Sequence, residues 1–130
     1  MINPPPPDAV LVFHVVYDIT VEWYGVAKQF PKRDRYILGE KVFIELLECL
    51  HAVNRARYST NNRKVQHLYS AITAMNNATI LVRLANSLEI LPDKRYFALS
   101  EKFINVGKQL GGWLKYCQSP QPIPPQYSGK

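Results

Sequence analysis

Apolar residues recur every three or four positions along four stretches of the chain, and a turn signal closes each stretch. The first runs from about Ala9 to Gln29. Leu11, Phe13, Val15, Tyr17, Ile19, Val21 and Trp23 alternate, which alone would suit a strand. The polar residues His14, Asp18, Glu22 and Gln29, with Gly25 between them, instead fall at helical spacing. About twenty residues is also too long for an ordinary strand, so the pattern predicts a helix. Phe30-Pro31 stops it, because proline disfavours the helical conformation of the residue before it.

The second stretch begins near Lys32 to Asp34 and reaches about Tyr58. Leu38, Val42, Leu46, Cys49, Val53 and Ala56 form one row, with Phe43, Leu47 and Leu50 beside it. Glu40, Lys41, Glu45, Glu48 and Arg55 lie mostly opposite. Ser59 to Asn62 supplies a turn or a helix start. The third stretch, about Arg63 to Ile90, has a stripe of Val65, Leu68, Ile72, Met75, Thr79 and Val82, widened by Leu81, Leu84, Ala85 and Leu88. Leu91-Pro92-Asp93 breaks it, and a proline with an acid beside it suits a new helix start. The fourth stretch, Tyr96 to Lys115, carries Tyr96, Leu99, Phe103, Val106, Leu110 and Trp113 as one apolar stripe.

Three glycines interrupt that last stripe, at Gly107, Gly111 and Gly112. Each interior glycine costs a helix about 1 kcal/mol relative to alanine. Two readings follow: the helix ends at Gly111-Gly112 with Trp113 as a core plug, or the glycines form a seam against another helix or subunit.

Four helices of about 20 to 28 residues, roughly 30 to 40 Å long at 1.5 Å per residue, joined by short turns, predict an all-α, antiparallel up-down-up-down four-helix bundle. The bundle is expected to occupy residues 9–117. A proline-rich lead-in (residues 1–8) precedes it, in which Pro4 to Pro7 are stiff and extended and Asp8 is placed to cap the first helix. A proline-rich tail (residues 118–130) follows.

With 130 residues the chain has room for one cored domain, and 47% apolar against 20% charged residues is a globular composition. Ala9 to Val26 is the longest apolar candidate for a membrane span, but His14, Asp18, Thr20 and Glu22 break it. The N-terminus lacks the positive region of a secretory signal. Cys49 falls on an apolar row, where a buried free thiol is the default. These features together predict a cytoplasmic protein with no membrane partner.

Sixteen Lys and Arg against ten Asp and Glu give a formal charge of +6 and a pI near 9.4. Such a balance favours an anionic partner, nucleic acid above all. The cations cluster at turns: Lys28, Lys32, Arg33 and Arg35 around the first, Arg55, Arg57, Arg63 and Lys64 around the second, Lys94 and Arg95 at the third. Successive turns of an up-down bundle lie at opposite ends, so the first and third clusters should share one end. Arg83 sits beside the third stripe, and Asn76, Asn77 and Arg83 are candidates for an interface. Tyr36, Tyr58, Tyr69 and Tyr96 lie near the basic clusters and could stack on unpaired bases.

Catalytic and metal patterns are sparse. Glu48 and His51 form one Glu-x-x-His, whereas a di-iron bundle needs a second copy and two further glutamates; no second copy exists. No zinc, P-loop or nucleophile-elbow motif occurs. No cofactor and no enzymatic activity are expected.

Three segments carry a family resemblance. Phe30-Pro31-Lys32-Arg33-Asp34-Arg35-Tyr36-Ile37-Leu38-Gly39-Glu40 resembles the FP-x-x-x-R-x-x-LGE turn of the accessory variability determinant (Avd) proteins of diversity-generating retroelements. Leu81-Val82-Arg83-Leu84-Ala85, after Asn76-Asn77, is similar to their third-helix region. Gly107-Lys108-Gln109-Leu110-Gly111-Gly112-Trp113 resembles their closing G-x-x-LGGW. A broader likeness extends to the four-helix proteins encoded by intervening sequences of 23S ribosomal RNA genes. The resemblance implies a basic four-helix bundle in a ring-like homopentamer. It also implies binding to the reverse transcriptase and its template RNA or cDNA, with no catalysis by the bundle itself. Phe30, Pro31, Arg35, Gly39, Arg83, Gly107, Gly111, Gly112 and Trp113 are its family-matching positions. A purely protein-binding structural adaptor and an intervening-sequence-type bundle are the alternatives.

Overall fold

The computed structural model of the chain describes residues 9–119. The proline-rich lead-in with its Asp8 cap, and the tail from Pro120 onward, lie outside the described residues. Four helices and no strands occur among the described residues. The first, α1, is Ala9–Lys28. The second, α2, is continuous but not uniform: a short α-helical start at Lys32–Asp34, a π-helical turn at Arg35–Gly39, and the long segment Glu40–Arg57. Then follow α3, Asn61–Ser87, and α4, Asp93–Gln118. Each helix packs on its sequence neighbours, α1 also touches α4, and α2 with α3 make the most extensive contact. This is the square up-down-up-down arrangement that the short turns dictate.

The first helix resolves its ambiguity in favour of the polar spacing. Val12, Val16, Ile19, Trp23 and Val26 face the core, and the Thr20 hydroxyl donates to the Val16 carbonyl at 2.8 Å, which lets a polar side chain be buried there. By length and composition alone α1 could cross a membrane; in the bundle its apolar stripe is the core. On α2 every member of the expected row, Leu38 to Ala56, is buried. Burial pushes the Cys49 thiol up to about 12, with Glu48 adding to the shift.

The third helix corrects the expected stripe. Thr79 and Leu84 are exposed, and the Thr79 hydroxyl bonds back to the Met75 carbonyl at 2.9 Å. Leu88 caps the helix end and is exposed as well. The buried seam is Leu68, Ala71, Ala74, Met75, Ala78, Val82 and Ala85. Four alanines on this face, opposite Cys49, Ala52 and Ala56 of α2, leave little side-chain bulk between the backbones, consistent with the extensive contact of this pair. The α3 C-terminus closes with Glu89 at φ 62°, the Ile90 amide donating to the Ala85 carbonyl and the Glu89 amide to that of Asn86. That is the Schellman arrangement, with glutamate where glycine is favoured.

The fourth helix rules out a cap at its glycines and a seam within the bundle. The helix passes through Gly111 and Gly112 and ends at Gln118, so they are not a cap. A Cβ added at Gly107, Gly111 or Gly112 would meet nothing within 4 Å, so they are not a seam inside the bundle either. Trp113 does plug the core. Gly107→Ala and Gly111→Ala are therefore each expected to raise the stability of the folded chain by about 0.5–1 kcal/mol, read as a higher urea midpoint at a concentration low enough to keep the chain dissociated.

Candidate nucleic-acid interface and the first turn

The FP turn is a lock between α1 and α2. Trp23 is fully buried and its Nε1–H donates to the Gly39 carbonyl at 2.9 Å. Phe30 meets the Trp23 ring edge-on, with centroids 5.6 Å apart. The Arg35 Nε–H donates to the Phe30 carbonyl at 3.1 Å, holding the chain where α1 has ended. The π turn sets two consecutive residues, Leu38 and Gly39, against the core. Space favours glycine there: a Cβ at position 39 would lie 3.0 Å from the Ala27 Cβ, which is fixed to the α1 backbone and would have to give way. Of the motif residues Phe30, Arg35 and Gly39 thus have a structural task, and Pro31 accepts the first amide bonds of α2 through its carbonyl.

Beside this lock α1 and α2 leave an open groove formed by two adjoining clefts. One, of about 290 Å³, is lined by Trp23, Tyr24, Ala27, Lys28, Arg35, Gly39, Glu40 and Phe43. The next, of about 270 Å³, is lined by Tyr17, Thr20, Val21, Tyr24, Phe43, Leu47 and Leu50. Tyr24 and Phe43 belong to both, with ring centroids 5.9 Å apart.

The cations gather at the two ends of the bundle. The first and third turns meet in a cleft lined by Gln29, Phe30, Ile90, Leu91, Pro92 and Arg95, so Lys28, Lys32, Arg33, Arg35, Lys94 and Arg95 do share an end, and Arg83 lies about one turn from it. These seven cations, with Lys41 next to Glu40 as an eighth, stand among four carboxylates, Asp34, Glu40, Glu89 and Asp93. Arg33 faces its neighbour Asp34 at 4.0 Å.

The opposite end has fewer acids among its cations. It holds Arg55, Arg57, Arg63 and Lys64, and the antiparallel return of α4 adds Lys115, with no Asp or Glu in residues 9–14, 54–67 or 111–119. Arg57 lies between two rings, 4.9 Å from the Phe13 centroid and 5.0 Å from that of Tyr58. The Lys64 ammonium donates to the Ala56 carbonyl at 2.9 Å, closing the α2 C-terminus while keeping its charge. Arg55 reaches Glu48 at 3.4 Å, an exposed and weak pair. Arg63 and Lys115 have exposed side chains with no hydrogen-bond or ion-pair partner among the described residues. The α3 N-terminus also opens here, and Thr60 gives it no side-chain cap, so its amides add positive potential. Burial raises the Cys117 thiol above its usual range, and nearby Lys64 opposes that shift.

The tyrosines divide. Tyr58 is 76% exposed over the second basic cluster and Tyr36 is exposed on α2. The Tyr69 hydroxyl accepts from the Gln118 amide at 2.9 Å, and Tyr96 is half-buried against the core. The Asn77 amide donates to Glu45 across the α2–α3 contact at 3.3 Å; Asn76 and Asn77 are both exposed. Glu48 faces Arg55, His51 is exposed, and no group of three His, Cys, Asp or Glu side chains converges among the described residues. Sequence reasoning missed Lys115, which joins the basic end only through the return of α4, and the α1–α2 groove, whose two sides come from separate helices.

A family model described as bAvd-like matches residues 11–117. No curated protein and no solved structure matches the chain.

Proposed function

The chain belongs to the bAvd-like family, and from that membership we propose that it is a non-catalytic accessory protein of a diversity-generating retroelement, joining the reverse transcriptase to its template RNA or cDNA. In this reading the bundle of residues 9–117 is the binding unit and works in the cytoplasm as a ring-like homo-oligomer, a pentamer by resemblance. The observation that carries the nucleic-acid part is the second-turn end: five cations and an uncapped helix N-terminus, with Glu48, which faces Arg55, as the one carboxylate within reach. Phosphates bind such a surface by charge, without sequence reading. Tyr58, held flat by Arg57, offers a stacking face for an unpaired base. The first-turn end, basic but interspersed with acids, is a weaker second contact. Repetition in an oligomer multiplies contacts that are weak singly.

The test is binding of a structured RNA as salt is raised. Neutralising about four or five phosphates should weaken binding roughly 50- to 500-fold between about 50 and 200 mM salt. A flat response contradicts the electrostatic reading. No binding even at low salt would leave a protein-only adaptor.

A further inference from the structure

Three features of the surface are left open among the described residues. The α1–α2 groove is open and largely apolar, with Tyr17, Val21 and Tyr24 each about half or more exposed. On the outside of α4, Phe97 and Ile104 are 65% and 59% exposed. They stand seven residues apart, so they share a face with Glu101 between them. Gly107 and Gly111 flank that face with open space where side chains would be.

We propose that these features are the two halves of one contact: the outer face of α4 of one copy lies in the α1–α2 groove of the next. Phe97 and Ile104 are about 10.5 Å apart along the helix, two apolar anchors for two adjoining clefts that share Tyr24 and Phe43. Gly107 and Gly111 let the α4 backbone approach the groove wall, which accounts for glycines that cost this helix stability and serve nothing inside the bundle. Charge fits as well. Glu101 is exposed with no partner among the described residues, and Lys108, four residues beyond Ile104, is exposed on the same face. Lys28, Arg35 and Glu40 border the groove, where the Lys28 ammonium stands 5.7 Å from the Tyr24 ring centroid, so each side offers a charge to the other's opposite. The two surfaces belong to different helices, so the contact is head-to-tail, the kind that closes into rings when the rotation allows. The inference rests on the proposed self-assembly and adds the surfaces that make it.

The experiment uses the full chain at micromolar concentration in sedimentation velocity, with circular dichroism confirming the helical fold of each variant. Tyr24→Glu spoils the groove and Ile104→Arg spoils the helix; both side chains are exposed, and Val21→Glu and Phe97→Arg are replacements if either variant fails to fold. Wild type is expected as an oligomer. Each variant alone is expected to associate at least tenfold more weakly. Their equimolar mixture is expected to form a heterodimer and nothing larger, because it retains one intact groove and one intact helix face. Wild-type assembly by the folded variants would overturn the assignment while leaving self-assembly standing, and would pass the groove to a different protein. A mixture that stays monomeric would overturn the head-to-tail pairing. A monomeric wild type would overturn both this inference and the self-assembly beneath it.

Discussion

Trp23→Ala is expected to remove about 3–5 kcal/mol of folding stability, measured as a fall in the urea midpoint. Domains of this size are stable by roughly 5–15 kcal/mol in all, so the variant should be partly unfolded at 37 °C or close to it. The size of the effect follows from what the side chain touches. It is fully buried, its Nε1–H is bonded to the Gly39 carbonyl, and Phe30 packs edge-on against it. Alanine would leave a cavity where the first turn, α1 and α2 meet. Trp23→Phe separates the contributions. It keeps most of the packing but leaves the buried carbonyl without its side-chain donor, and should cost about 1–3 kcal/mol. Equal stability of Trp23→Phe and wild type would show that the hydrogen bond contributes nothing and the lock is packing alone.

The second large effect concerns charge. Reversing Arg63 and Lys115 together, as Arg63→Glu with Lys115→Glu, is expected to weaken binding of a structured RNA by about 100-fold or more at low salt. Neither side chain has a partner within the described fold, so stability should change by no more than about 0.5 kcal/mol, and lost binding cannot be ascribed to unfolding. The matching reversal at the other end, Lys32→Glu with Lys94→Glu, should cost less than about tenfold, since those cations already stand among carboxylates. A larger loss from the second pair would move the main contact to the first-turn end.

The sequence made the helices legible, and with them the bundle, because large side chains at helical spacing mark a buried face. On α2 every residue of the row from Leu38 to Ala56 is buried, and only the small Gly39 and Ala52 join them. On α3 the same logic fails for a physical reason. The seam is made of alanines, which pack closely but weigh little in a hydrophobic pattern, so Thr79, one position beyond Ala78, looked like a core residue. The glycines of α4 were conspicuous in the sequence, yet a glycine shows only that space or conformation matters, not what stands opposite. At Gly39 the neighbour is Ala27 of the same chain; at Gly107 and Gly111 it is open surface. The Trp23–Gly39 bond links residues 16 apart on two helices, and no periodicity within one helix contains it. The charge clusters were visible as turns. Which end carries the less diluted charge depended on where α4 returns, and that brought Lys115 to the same end as Arg63 and Lys64.

The most direct test of the second-turn end as the RNA-binding face is the salt slope of binding, wild type against Arg63→Glu with Lys115→Glu. Each cation that neutralises a phosphate contributes roughly 0.7–0.9 to the slope of log K against log salt. Loss of two should therefore make the slope shallower by about 1.5 as affinity falls. Parallel lines for the two proteins, with affinity unchanged, would contradict the account, because they would show that no counterion is released at this end of the bundle.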